Sequence, residues 1–321
     1  YKRQSISLLF HTSLVSPYIW GADTNYEMYH TDFVKNNQKW DPIIPNNHNA
    51  MLSLVMLAPI FSDLLHMNLT WTFKIIYPLI FSLIPVVLYE LFKSQTNEKI
   101  AFFSCFFFMS VCTFYTEMLA LTRQQIAEFF VILILSLIIK KDMDVRKTLL
   151  LIIFSFCIVV SHYGTSYWFM ISIFLIYFIL FFKNIQLKSV ITSTFVLVYT
   201  VFTLAWYIYI SSGAPFETII SLGNNVLNNI DDLFDPSAAQ GIDIMTKSFK
   251  PLKQITIYLH VVSQFFISVG ILTLLIKRKL LKFTEDYIAF SIVSFIWCIE
   301  AIGVPYLTYG GFGATRLYHL S

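Results

Sequence analysis

Two carboxylates and an imidazole occur at helical spacing near the start of the chain. Asp23, Glu27 and His30 stand at i, i+4 and i+7 in the polar run 16–50, so a helix there would place all three on one face. A carboxylate on such a face can serve as a general base. Glu27-x-x-His30 is also half of a metal-binding pattern, but no second half follows, so no cofactor is assigned and a divalent metal is the one alternative left open. A solvated acidic turn is the plainer interpretation.

Five further side chains that could take part in binding or catalysis lie in motifs with aromatic or glycine residues. They are Arg123 in TEMLALTRQQIAE, His162 and Tyr163 in SHYG, and Arg316 and His319 in TRLYH. Ionisable residues at membrane depth are functional candidates by default. The alternatives are that Arg123 pairs with a nearby glutamate at the mouth of its span, and that the last two anchor the chain at a membrane interface.

The composition is that of an integral membrane protein. Hydrophobic residues make up 57% of the chain and charged residues 13%, against roughly 25% charged in soluble domains, and the mean hydropathy is +0.67. The basic residues are dispersed, which excludes a nucleic-acid partner. The four cysteines show no CxxC spacing, so neither a disulfide framework nor a zinc site is predicted.

The apolar segments predict an all-α, polytopic transmembrane helical bundle with interfacial helices on its outer face. Segment 50–66 is also apolar but contains Pro59 and Asp63, and is expected to lie along the surface without crossing. Eight segments have about the 20 apolar residues that a span needs or come close to it. They are 70–92, 99–119, 122–139, 147–161, 164–182, 189–210, 252–276 and 286–302.

Basic residues concentrate in alternate connections between these segments, which by the positive-inside rule face the cytoplasm. The intervening connections then lie outside, and with them all the polar motifs named above. We therefore expect 1–321 to be a single transmembrane domain, a fragment of a longer protein. It contains an outer first loop at 16–69 and an acidic, amphipathic outer loop at 211–251.

An acidic motif in the first outer loop, interfacial helices after it and basic residues at later outer loops together resemble the GT-C superfamily of membrane glycosyltransferases. Over nearly the whole chain, the sequence also resembles an archaeal family of predicted membrane proteins of unassigned function. The segments that carry this second resemblance are SLLFHTSLVSPYIWGADTNYE, EMLALTRQQIAEFF, VVSHYGTSYW and ATRLYH.

The GT-C resemblance implies an enzyme of the cell membrane that moves a sugar from a polyprenyl or dolichyl phosphate to a glycan or protein acceptor on the non-cytoplasmic face. Asp23 would be the catalytic carboxylate with Glu27 in support, although O-mannosyltransferases of that superfamily have an adjacent Asp-Glu pair. Arg123, His162, Tyr163, Arg316 and His319 would hold the donor phosphate. The alternatives are a lipid-linked glycan polymerase, ligase or flippase, and a noncatalytic membrane subunit of a cell-surface assembly.

Overall fold

The computed structural model describes residues 1–140, 143–184, 189–228, 251–276, 283–303 and 319–320. Every regular element in these ranges is helical, as the sequence predicted. The chain divides into two units, Tyr1–Thr218 and Ile219–Ser321, which are described separately.

The first unit contains thirteen of the described α-helices and the start of a fourteenth. They are α1 (Lys2–Ser13), α2 (Ala22–Asn37), α3 (Leu52–Val55), α4 (Leu57–Leu64), α5 (Leu69–Trp71), α6 (Tyr77–Phe81), α7 (Ile84–Gln95), α8 (Glu98–Ser110), α9 (Cys112–Tyr115), α10 (Thr122–Lys140), α11 (Val145–Val159), α12 (Tyr163–Phe182), α13 (Ser193–Tyr209) and α14 (Ala214–Asn228). The second unit contains the end of α14, together with α15 (Pro251–Ile276) and α16 (Glu285–Gly303), which pack against each other.

Five helical stretches in the described ranges are long and apolar enough to cross a membrane. They are Leu69–Gln95, Thr122–Lys140, Tyr163–Phe182, Ser193–Asn228 and Ile257–Ile276. Each overlaps a predicted span. Two further predicted spans correspond to the single helices α11 and α16, which are helical but do not meet the same criterion.

The predicted span 99–119 is not one continuous helix. It forms α8 and α9, separated at Val111, whose backbone is extended with φ −65° and ψ 126°. A 3-10 turn, Glu117–Ala120, then leads into α10. Within this segment, Phe114 and Met118 are fully buried in a core with Leu9 and Phe81. The apolar composition of the segment predicted a span. It did not reveal the break in the backbone.

The first span is irregular around Lys74. Asn68 begins it by accepting a hydrogen bond from the Trp71 backbone N–H at 3.0 Å. A π-helical segment, Thr72–Ile76, follows and has Lys74 at its centre. Such local widening of a helix occurs frequently at functional sites.

Segment 50–66 forms the short helices α3 and α4. Leu52–Leu64 has fewer than the about 20 residues that a span requires. Both helices pack against the polar helix α2, which lies outside the apolar stretches. This arrangement agrees with a surface or re-entrant placement, and the membrane face on which it lies stays a prediction.

The connections predicted to be outer meet at one end of the first unit. Ser53 donates through Oγ to the Ser161 carbonyl at 3.1 Å, and Thr24 to the Leu119 carbonyl at 3.4 Å. The Ser211 N–H donates to the Pro42 carbonyl at 2.6 Å. Segments far apart in sequence are therefore in contact with one another, as the predicted common sidedness requires. The rest of the predicted loop 211–251, from residue 229 to residue 250, lies outside the described residues.

The turn before α2 depends on a glycine. Gly21 has φ +104°, and a Cβ placed on it would lie 2.4 Å from the Ala120 Cβ. We expect Gly21→Ala to destabilise the first unit by about 2–4 kcal/mol, because it combines a left-handed backbone with overpacking. Gly223→Ala is the matched control, since no atom lies within 4 Å of the corresponding Cβ. Denaturation of both variants in detergent checks this, and equal stabilities would contradict it.

Candidate functional site

Helix α2 carries the acidic face that the sequence predicted. It begins after Gly21, and the Asn25 side chain donates to the Gly21 carbonyl at 2.8 Å. Asp23 and Glu27 follow one helical turn apart, which places both carboxylates on the same side. Glu27 is fully buried, whereas the Asp23 side chain is 38% exposed. Of these two carboxylates, Asp23 is the one that a substrate can reach.

Arg123 lies between the two carboxylates. Its Nη1 donates to Glu27 Oε1 at 2.6 Å, and its Nη2 lies 3.7 Å from Asp23 Oδ2. The first contact is a short charge-assisted hydrogen bond, and the second is an ion pair longer than a hydrogen bond. The guanidinium is therefore held by Glu27, and its other edge faces Asp23.

Glu27 also accepts a hydrogen bond from the first backbone N–H of a long helix. The Thr122 backbone N–H donates to Glu27 Oε2 at 3.0 Å, so this carboxylate lies at the N-terminus of α10, where the helix dipole favours negative charge. Burial raises the pKa of Glu27, whereas Arg123 and Thr122 act in the opposite direction. The buried guanidinium needs a negative partner, and Glu27 fixes α2 against α10 by supplying it.

His48 completes the environment of Arg123. Its Nε2 lies 2.9 Å from Arg123 Nη1, and its Nδ1 lies 3.2 Å from Asn46 Oδ1. Because arginine only donates, Nε2 must accept, and the neutral ring then carries its proton on Nδ1 and donates it to Asn46. Burial, followed by the charges of Arg123 and His30, lowers the pKa of His48 to about 2. His48 is thus a neutral hydrogen-bond acceptor for Arg123.

A second imidazole and a tyrosine cover His48. The His30 ring stacks on the His48 ring with centroids 5.5 Å apart, and the Tyr26 ring contacts both edge-on at 4.7 and 4.8 Å. The Tyr26 hydroxyl accepts a hydrogen bond from Asn46 Nδ2 at 3.1 Å. Burial lowers the pKa of His30 as well. These rings therefore cover the His48 ring, which contacts Arg123.

The two histidines predict acid sensitivity. The folded state keeps His48 neutral down to about pH 2, whereas the unfolded chain protonates it near its ordinary pKa of 6.5. The contribution of His48 to the free energy of unfolding is therefore fully present above pH 6.5 and falls as the pH drops. The slope from this one group approaches about 1.4 kcal/mol per pH unit. His30 acts in the same direction. We expect His48→Gln, which keeps an acceptor for Arg123, to lose less stability than wild type between about pH 7 and about pH 5.

Denaturant titrations at the two pH values check this expectation. The exposed His11, replaced by Gln, is the control and should leave the wild-type pH dependence unchanged. A pH dependence of His48→Gln equal to that of wild type would contradict the assignment of a neutral, partly buried His48.

The contacts of the other predicted binding residues, where they fall in the described ranges, are to residues other than Arg123. His162 is the N-cap of α12, where its Nδ1 accepts from the Thr165 N–H at 3.3 Å and lies 2.7 Å from the Thr165 hydroxyl. The neighbouring Tyr163 ring contacts the His162 ring at 5.4 Å. His319 is buried and belongs to the second unit. Arg316 lies outside the described residues. The phosphate-binding roles of all four stay predictions.

The described residues form no metal site. Within those ranges, no group of three or more His, Cys, Asp or Glu side chains converges in a way that could hold an ion. The half-pattern Glu27-x-x-His30 is used differently, since Glu27 binds Arg123 and His30 stacks on His48.

Sequence reasoning missed the residues that complete the cluster. It suggested glutamates near Arg123 in sequence as its partners, whereas the described contacts are to Glu27, Asp23 and His48. The buried Glu128, one of those suggested partners, accepts instead from Gln124 at 2.9 Å. The run PNNHNA around His48 was the available signal, because an imidazole among three asparagines after a proline marks an ordered turn.

The helices define an all-α, polytopic integral membrane protein, for which lipids are immediate partners. Residues 147–321 match the model of a family described as predicted membrane protein (DUF2206), and the chain belongs to this family. No curated protein and no solved structure matches the chain. The match confirms the predicted kinship with membrane proteins of unassigned function. It covers just over half of the chain and not residues 1–146, where Asp23, Glu27 and Arg123 lie.

Proposed function

We propose that the protein is a glycosyltransferase that moves a sugar from a polyprenyl-phosphate donor to an acceptor at the non-cytoplasmic membrane face. The observation that carries this proposal is an accessible carboxylate, Asp23, next to a buried guanidinium that is already fixed in place. An accessible base beside a fixed positive charge is the pair of groups that this transfer needs.

The two groups have separate roles in the proposed reaction. The acceptor oxygen bonds to the anomeric carbon while the bond from that carbon to the phosphate oxygen breaks. The electron pair leaves with the phosphate, and the acceptor's proton passes to Asp23. Arg123 stabilises the charge that develops on the phosphate.

Two nitrogens of Arg123 are not taken up by Glu27 and His48, although the Nε atom is itself buried. Its Nη1 is occupied by Glu27 and His48, but its Nε has no hydrogen-bond partner in the part of the chain that the structure describes. Its Nη2 faces Asp23 at more than hydrogen-bond distance. Glu27 is a positioning residue, because it is buried and already committed to Arg123 and Thr122.

The experiment is a transfer assay on the purified full-length protein in lipid nanodiscs. Polyprenyl monophosphates carrying radiolabelled mannose or glucose are mixed with glycan and peptide acceptors, and labelled product and released polyprenyl phosphate are measured. Transfer that requires the protein is the expected result. In closed proteoliposomes, movement of intact lipid-linked glycan across the bilayer without cleavage would instead identify a flippase, and stable association with a surface protein without transfer would identify a noncatalytic subunit.

A further inference from the structure

Lys74 is a buried cation whose described partners carry no charge. Its side chain lies inside the first apolar span, and the residue is only 6% exposed. The Nζ donates to the Ser16 carbonyl at 2.6 Å and to the Tyr18 carbonyl at 2.9 Å, and lies 5.9 Å from the centre of the Trp71 ring. No carboxylate of the described residues lies within ion-pair distance of it. A buried ammonium without a counter-charge is costly, and a charge at membrane depth usually marks a functional site.

Two other lysines, unlike Lys74, have a carboxylate partner in the described residues. Lys35 pairs with Asp63 at 3.2 Å, and Lys93 pairs with Glu98 at 2.7 Å. Lys74 also occupies the π-helical segment, where the regular backbone is interrupted around it. An ammonium has three N–H donors, and the two carbonyls use two of them.

A pocket lies beside this ammonium. Its wall contains Lys74, the hydroxyl residues Thr12, Ser13 and Thr24, and the indole of Trp20. Ser13 and Thr24 donate to backbone carbonyls, whereas the Thr12 hydroxyl has no hydrogen bond to any residue in the described ranges. Trp20 is 54% exposed, so the pocket wall reaches the surface. The pocket therefore combines a positive charge, a remaining N–H and a hydroxyl donor near the end of a span.

We propose that this pocket binds a phosphate-type anion, held by the third N–H of Lys74 and by the Thr12 hydroxyl. The anion supplies the negative charge that the surrounding described residues do not, and lysine is a common point-charge ligand of phosphate. Phospholipid head groups lie at the depth of span ends, so an anionic lipid is one source and free phosphate is the other. The site is separate from the proposed transferase chemistry, since neither of these two ligands is part of the Asp23 and Arg123 cluster.

Native mass spectrometry of the delipidated full-length protein tests this inference. The probes are phosphatidylglycerol, phosphatidylcholine and inorganic phosphate, each titrated alone. We expect anionic phosphatidylglycerol to bind more tightly than phosphatidylcholine. Competition by inorganic phosphate would show that the phosphate group itself is recognised, and preference for inorganic phosphate over the lipid would identify the free ion as the ligand.

Lys74→Met should weaken binding of the preferred probe by about tenfold or more, because it removes a charge-assisted hydrogen bond. Lys74→Arg keeps the charge and should restore most of the affinity. Lys35→Met is the control, since Lys35 already has a carboxylate partner, and it should bind as wild type does.

Thr12→Val is the second variant, to be used if Lys74→Met fails to fold. It leaves intact the hydrogen bonds from Lys74 to the two carbonyls. It should weaken binding by about threefold or more, because it removes one hydrogen bond from an uncharged donor to the anion. The inference is overturned if wild type binds none of the probes. It is also overturned if folded Lys74→Met binds as tightly as wild type, or if Thr12→Val has no effect while Lys74→Met is unfolded. In each case Lys74 serves only to hold the connection between α1 and α2.

Discussion

Asp23→Asn is expected to lower sugar transfer by about 10²–10⁴-fold, the usual effect of removing a general base. The substitution keeps the size and shape of the side chain and removes its capacity to take the acceptor's proton. Because Arg123 remains in place, donor binding should change little. Initial rates and donor affinity of the purified full-length protein measure the two effects separately.

The matched control lies on the same helix. Asp32 is exposed and accepts a hydrogen bond from Asn36 at 2.9 Å, so Asp32→Asn makes the same chemical change on α2 away from Arg123. It should transfer sugar at the wild-type rate. Wild-type transfer by Asp23→Asn would remove Asp23 from the catalytic role, and the noncatalytic and transport interpretations would then lead.

Helical spacing was sufficient to group the acidic residues. The i, i+4 interval between Asp23 and Glu27 predicted a common face, and both side chains do meet Arg123. Such local periodicity can be read from sequence because one helical turn determines it. Which of the two carboxylates is buried depends on α10, about a hundred residues later, and no local pattern encodes that choice.

The positions of the spans were likewise predictable from local sequence, whereas their backbone irregularities were not. Hydropathy located every apolar helix of the described ranges, including α10, because a span must be predominantly apolar over about 20 residues. The extended residue Val111 and the π-helical segment around Lys74 were not predicted. Both depend on how neighbouring helices pack, and an apolar run has the same hydropathy whether or not its backbone is regular.

The neutral partner of Arg123 could not be predicted from any sequence pattern either. His48 binds it with Asn46 beside its Nδ1 and the rings of His30 and Tyr26 packed against its own ring. Histidine in a polar loop is normally exposed and titrates near neutral pH. Its protonation state here follows from tertiary contacts alone.

Glu27→Gln is expected to destabilise the first unit by about 3–5 kcal/mol, the cost of removing one partner from a buried ion pair. The amide keeps the shape of the carboxylate but removes the negative charge that lies within hydrogen-bond distance of Arg123. In addition, the new amide can accept only through its single oxygen. If that oxygen faces Arg123, the NH₂ group faces the Thr122 N–H, and two donors oppose each other at the start of α10.

Denaturant titration of the full-length protein in detergent measures this loss, and Asp23→Asn is its control. That variant makes the same change four residues earlier, where the side chain is 38% exposed and 3.7 Å from Arg123, so it should cost less than about 1 kcal/mol. The double variant Glu27→Gln with Arg123→Met removes both charges and should be more stable than Glu27→Gln alone, because no uncompensated guanidinium remains buried. If Glu27→Gln and Asp23→Asn cost the same, Glu27 does not fix α2 to α10. The geometry that presents Asp23 beside Arg123 would then need another origin.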